Sequence, residues 1–90
     1  MKKLLPHIEI GLNESGAVTV SVEDFELFDF VDDYVTIECD LDWQDMTTAK
    51  NEQGEVHIMH FHPKHGLEEI ERILLKLNVA EIERIYAFNN

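Results

Sequence analysis

No lysine or arginine occurs between Leu4 and Ala49, a stretch that holds twelve carboxylates, and the whole chain carries a formal net charge of -12. Lys64, Arg72, Lys76 and Arg84 place most of the cations in the last third. A surface this acidic repels phosphate backbones and anionic lipid, which argues against direct binding to nucleic acid or membrane and favours a basic protein as partner. Cys39 is the single cysteine, so no internal disulfide can form, and that fits a reducing compartment. The opening MKKLLPHIEI has only Leu4 and Leu5 before Pro6, too little for the apolar core of a signal peptide. No run approaches the ~20 apolar residues that span a bilayer. A cytoplasmic protein is expected.

With 90 residues, of which 44% are apolar, the chain has material for one domain over 1–90 and one modest core. Ile8, Ile10 and Leu12 alternate with His7, Glu9 and Gly11; Asn13 to Gly16 supply a turn; Val18, Val20 and Val22 then alternate with Ala17, Thr19 and Ser21. That is the period-two signature of a β-hairpin. Residues 34 to 43 read as another strand, with Val35, Ile37, Cys39, Leu41 and Trp43 on one parity and Thr36, Glu38, Asp40 and Asp42 on the other. The polar stretch Gln44 to Gly54 reads as a connection, and Glu55 to His62, apolar on both parities, as an interior strand.

Pro63 ends that strand and Gly66 introduces a helix to about Asn78, with Leu67, Ile70, Ile73, Leu74 and Leu77 on one face. Val79 to Phe88 suits either a strand or a second helix, and a strand is the reading adopted. A short helix within Glu23 to Asp33, with Phe25, Phe28 and Val31 inward, competes with an irregular excursion. The expected fold is α+β, ββ(α)ββαβ: a mostly antiparallel sheet of four to five strands packed on one main helix of the C-terminal half.

Projected onto that sheet, the outward positions of the first three strands are His7, Glu9, Thr19, Ser21, Thr36, Glu38, Asp40 and Asp42. The result is an acidic sheet face with no cation of its own segments to neutralise it. Solubility alone can explain such a face, and so can docking on a basic partner, since complementary charge raises association rates. Proteins that neutralise nucleases or other nucleic-acid-binding proteins work in this way, their carboxylates standing in for phosphates, and the resemblance is one of charge class. An interface also needs aromatic anchors. The segment EDFELFDFVDD offers Phe28, with Phe25 and Phe30, among Asp24, Glu26, Asp29, Asp32 and Asp33.

Four of the five histidines fall in HIMHFHPKH. His60 and His62 share a parity, a spacing that can set two imidazoles on one metal such as zinc, and His65 could fold back as a third ligand; His57 has the opposite parity. From His60 to Leu74 the text HFHPKHGLEEIERIL resembles the opening motif of the polymerase-and-histidinol-phosphatase phosphoesterases, His-x-His, a glycine and then a helix. The usual Ser-Asp-Gly is Lys-His-Gly here, and the large barrel of that family does not fit into the residues that follow. Beside acids, the histidines also admit a pH switch.

No phosphate-binding glycine loop and no nucleophile-base pair stands out, so a non-enzyme is expected. Three functional readings remain. A module that docks on a basic protein, as an immunity protein, antitoxin or nucleic-acid mimic does, leads. A metal-binding protein using His60, His62 and His65 comes second, and a homo-oligomeric subunit, a homodimer whose edge strand pairs with its own copy, comes third.

Overall fold

Pairing of alternating apolar strands builds the sheet. In the computed structural model, which describes residues 2–51 and 54–89, five strands are β1 Lys2–Leu5, β2 Ile8–Leu12, β3 Val18–Val22, β4 Trp43–Asn51 and β5 Gly54–Phe61. They form one sheet of order β1-β2-β3-β5-β4 with every neighbouring pair antiparallel. Register follows the alternation: Ile8 lies opposite Val22, Ile10 opposite Val20 and Leu12 opposite Val18. The turn between β2 and β3 is held by Asn13, whose Oδ1 accepts from the N–H groups of Ser15 and Ala17 at 3.0 Å each. Gly16 sits there at φ +85°, a conformation that favours glycine.

Three α-helices follow, α1 Phe25–Asp33, α2 Leu67–Leu74 and α3 Val79–Asn89. Leu27, Phe28 and Val31 of α1, Ile70 and Leu74 of α2 and Ile82 of α3 join Ile8, Ile10, Val20, Val22, Met59 and Phe61 in one core cluster. The α+β class and the helix-on-sheet layering are therefore as the sequence pattern implies. On the opposite sheet face, Thr19 and Ser21 are buried rather than outward and solvated. Each is a short side chain on the central strand, Ser21 between Glu9 and Ile58 and Thr19 between Gly11 and His60.

Two stretches depart from their period-two reading. Of residues 34 to 43 only Trp43 is in a strand, the first residue of β4: α1 runs on into a π-helical turn, Tyr34–Glu38. Leu27, Val31 and Val35 continue one buried stripe at four-residue spacing. Thr36 Oγ1 donates to the Asp32 carbonyl at 2.7 Å, and the Cys39 N–H closes the wider turn on the Tyr34 carbonyl at 3.2 Å. Ile37, assigned inward by alternation, is 76% exposed. Asp40, at φ +54°, lies beyond the turn and ahead of β4. The strand lies instead in the polar stretch that reads as a connection, because Thr47 and Thr48 suit a pleated strand and β5 takes a partner on each side.

Val79–Asn89 is helix rather than strand. Asn78 Oδ1 accepts the Glu81 N–H at 3.2 Å, an N-cap of ordinary type, and Ile82 is fully buried.

Candidate docking surface along α1

Helix α1 begins where Asp24, in extended conformation, accepts the Leu27 N–H at 3.0 Å on its carboxylate. With Leu27, Phe28 and Val31 fixed inward, the helical period sends Glu26, Asp29 and Asp33 outward, and all three are exposed. Successive steps of three and four residues place them on one face at axial spacings of about 4.5 and 6 Å. Among the described residues no ion pair reaches Glu26, Asp29, Asp32 or Asp33; the paired carboxylates are Glu23, Asp42, Glu69, Glu71, Glu81 and Glu83.

Between α1 and α3 this acidic row forms one wall of a groove of about 490 Å³, lined by Glu26, Asp29, Phe30, Asp33, Arg84, Ile85 and Phe88. Phe88 is 86% exposed. Arg84 is the one cation of the lining, and its guanidinium is already engaged, donating from Nε and Nη2 to Glu81 at 2.7 and 2.9 Å. That hydrogen bond and charge hold the Glu81 carboxyl below its ordinary range. Three carboxylates beside a half-buried and an exposed aromatic ring make a surface that favours cations bearing an apolar stem.

The other residues singled out from the sequence are dispersed. Glu9 is exposed on β2 opposite Lys3 of β1. Glu38 and Asp40 are exposed at and beyond the π-helical turn rather than on a sheet face, Glu38 near the Tyr34 hydroxyl and Asp40 within electrostatic reach of Lys64. Asp42, likewise off the sheet, is bonded by Lys64 Nζ at 2.9 Å, and that contact lowers its carboxyl titration while raising that of the lysine. Asp32 is half-buried and accepts the indole N–H of Trp43 at 2.7 Å, which ties α1 to the start of β4. Phe28 is buried and packs edge-on against Trp43, so it is a core residue and not an anchor. Phe25, 56% exposed, is the accessible ring of that segment.

Nor do the histidines converge. His60 lies between Asn13 Nδ2 at 3.3 Å and Thr47 Oγ1 at 2.9 Å; His62 Nδ1 accepts the Lys64 N–H at 3.0 Å; His65 sits between the Asp42 N–H and Glu69, both at 3.3 Å. Among the described residues the three side chains whose donor atoms lie within 4.8 Å of one another are Asp29, Asp32 and Asp33, not the predicted His60, His62 and His65. The strand ends at Phe61, and the turn at Pro63 carries His62 and His65 away from His60. His57 packs against Phe25 and Phe28 instead.

Arg84, Ile85 and Phe88 entered the groove unforeseen, because Val79 to Phe88 reads as a strand when alternation is given priority. The signal for a helix was Asn78 followed three residues later by Glu81. Comparison with protein families, with curated proteins and with solved structures finds no match to this chain.

Proposed function

We propose that this protein is a small cytoplasmic binding module, not an enzyme, that docks on a basic partner protein and inhibits it in the manner of an immunity protein, antitoxin or nucleic-acid mimic. The observation that carries this reading is the outward row Glu26, Asp29 and Asp33 on α1, free of ion pairs among the described residues. Carboxylates a few ångströms apart lie within one screening length, about 8 Å at physiological salt, so their fields add. Such a surface speeds encounter with a cationic partner, and the adjoining Phe88 supplies the apolar contact that charge alone does not. A nuclease or another nucleic-acid-binding protein is the partner class whose own surface answers this description.

The test is affinity capture from extracts of the source cells with the wild type and with the combined Glu26→Lys, Asp29→Lys, Asp33→Lys variant. A basic protein held by the wild type and released by the variant supports the reading. Equal retention of the same protein by a folded variant refutes it.

A further inference from the structure

The outer edge of the sheet carries a different possibility. Strand β4, Trp43–Asn51, is bonded to β5 on one side and, among the described residues, has no strand on the other. Its residues from Gln44 to Lys50 are all exposed, on both parities. Natural edge strands are kept short or are broken by proline, charge or bulges, because their unpaired N–H and C=O groups template further pairing. Here the register shifts only between Trp43 and Asp45, leaving a regular ladder from Asp45 to Asn51. No proline or glycine interrupts it, and its two charges, Asp45 and Lys50, cancel. In a chain of net charge -12 this is a long neutral border.

We infer that β4 is a self-pairing edge, through which two copies of this chain join their sheets antiparallel about a two-fold axis. The N–H of Met46 is directed away from β5, since it donates to the Asp45 carboxylate at 2.9 Å. By antiparallel alternation the N–H and C=O of Thr48 and Lys50 face the same way. An axis at Thr47, the midpoint of Trp43–Asn51, brings Met46 opposite Thr48 of the second copy, Asp45 opposite its Ala49 and Gln44 opposite its Lys50. Like charges do not meet in that register. Asp45 serves as placeholder: its carboxylate occupies the Met46 N–H until a strand replaces it.

A second copy fits this edge better than a basic segment does, because cations find no carboxylate row here, whereas two acidic molecules can approach only where each is neutral. Strand-edge contact over nine residues is about 30 Å long and about 10 Å thick, or about 300 Å² per copy. This is below the ~800 Å² per partner of a stable interface, so the dimer is weak, with a dissociation constant of roughly 10 µM to 1 mM.

Sedimentation equilibrium of the whole chain over that concentration range, at low and at high salt, decides the matter. The wild type is expected to show a monomer-dimer equilibrium that tightens as salt screens the mutual repulsion. Thr48→Pro removes an N–H that β5 does not use, so the variant should keep the wild-type circular dichroism and weaken association at least tenfold. Thr48→Asp, which leaves the backbone intact, should do the same and replaces the proline variant if that one fails to fold. A wild type that stays monomeric at high salt, or a dimer untouched by both folded variants, overturns the inference. Salt weakens docking on a cation and strengthens this pairing, so the two proposals fail separately.

Discussion

His7 lies flat against Tyr86, ring centroids 3.5 Å apart and planes at 8°. Its Nδ1 and Nε2 each lie 2.9 Å from a carboxylate oxygen, of Glu23 and Glu83 respectively. One side chain in the turn between β1 and β2 thus joins the end of β3 to α3. His7 adopts φ +65°, which asparagine tolerates better than most residues. His7→Asn should keep the turn while losing the stacking and both carboxylate contacts, lowering stability by about 1–2 kcal/mol, with the discount that Glu83 is largely exposed. Urea denaturation measures it. An unchanged midpoint would show that α3 is held without this contact.

Tyr34 donates its hydroxyl to the carbonyl of Ile73 at 3.0 Å, linking the π-helical turn to α2. Tyr34→Phe should cost about 0.5–1.5 kcal/mol by removing that hydrogen bond, the carbonyl keeping the Lys76 N–H at 3.3 Å. Burial first, then the Cys39 thiol and the charge of Glu38, raises the ionisation of Tyr34 above its ordinary value. The neutral phenol is therefore the form the fold favours. Its contribution is complete below the ordinary tyrosine range, near pH 10, and is lost as pH rises through the raised value. Absorbance titration should show a tyrosinate step that moves to lower pH on unfolding.

Asp42 and Lys64 make the opposite case. The Lys64 ammonium lowers the Asp42 carboxyl, so this contact stabilises above the ordinary carboxylate range and is lost as pH falls through the lowered value. Both side chains are exposed, and exposed pairs contribute little. Lys64→Gln should return the Asp42 carbon resonance to an ordinary titration, and the denaturation midpoint should stay where it was.

Ile82 and Phe88 stand on the same helix in opposite surroundings, the first fully buried and the second 86% exposed. Ile82→Ala should destabilise the domain by about 2–4 kcal/mol through lost burial and the cavity left behind. Phe88→Ala should leave stability within ~0.5 kcal/mol and weaken binding of a cationic partner. If Phe88→Ala proved as costly to stability as Ile82→Ala, the ring would belong to the core and not to a docking groove.

Strong alternation made β2 and β3 legible, apolar residues on both parities marked β5, and the helical face of Leu67, Ile70, Ile73 and Leu74 marked α2, which ends at Leu74 and not near Asn78. Val35, Ile37, Cys39 and Leu41 alternate as well, yet Leu27, Val31 and Val35 also satisfy a helical stripe, and contact with the core favoured the latter. Thr47 and Thr48 are strand-forming residues in an exposed setting, where no apolar pattern marks them. Alternation over 34 to 43 puts Glu38, Asp40 and Asp42 on a sheet face, whereas the period that unites Glu26, Asp29 and Asp33 is that of a helix. His60 and His62 share a parity by numbering alone; the end of β5 at Phe61 separates them.

Negative potential concentrated over α1, and left uncompensated there, is what a cationic partner would recognise. Nitrogen-15 correlation spectra recorded during titration with an oligo-arginine peptide locate it residue by residue. Amide shifts confined to α1, the π-helical turn and the facing side of α3, absent from the Glu26→Lys, Asp29→Lys, Asp33→Lys variant, are the predicted result. Shifts of similar size spread over the sheet, α2 and the turns, and retained in that variant, would contradict it.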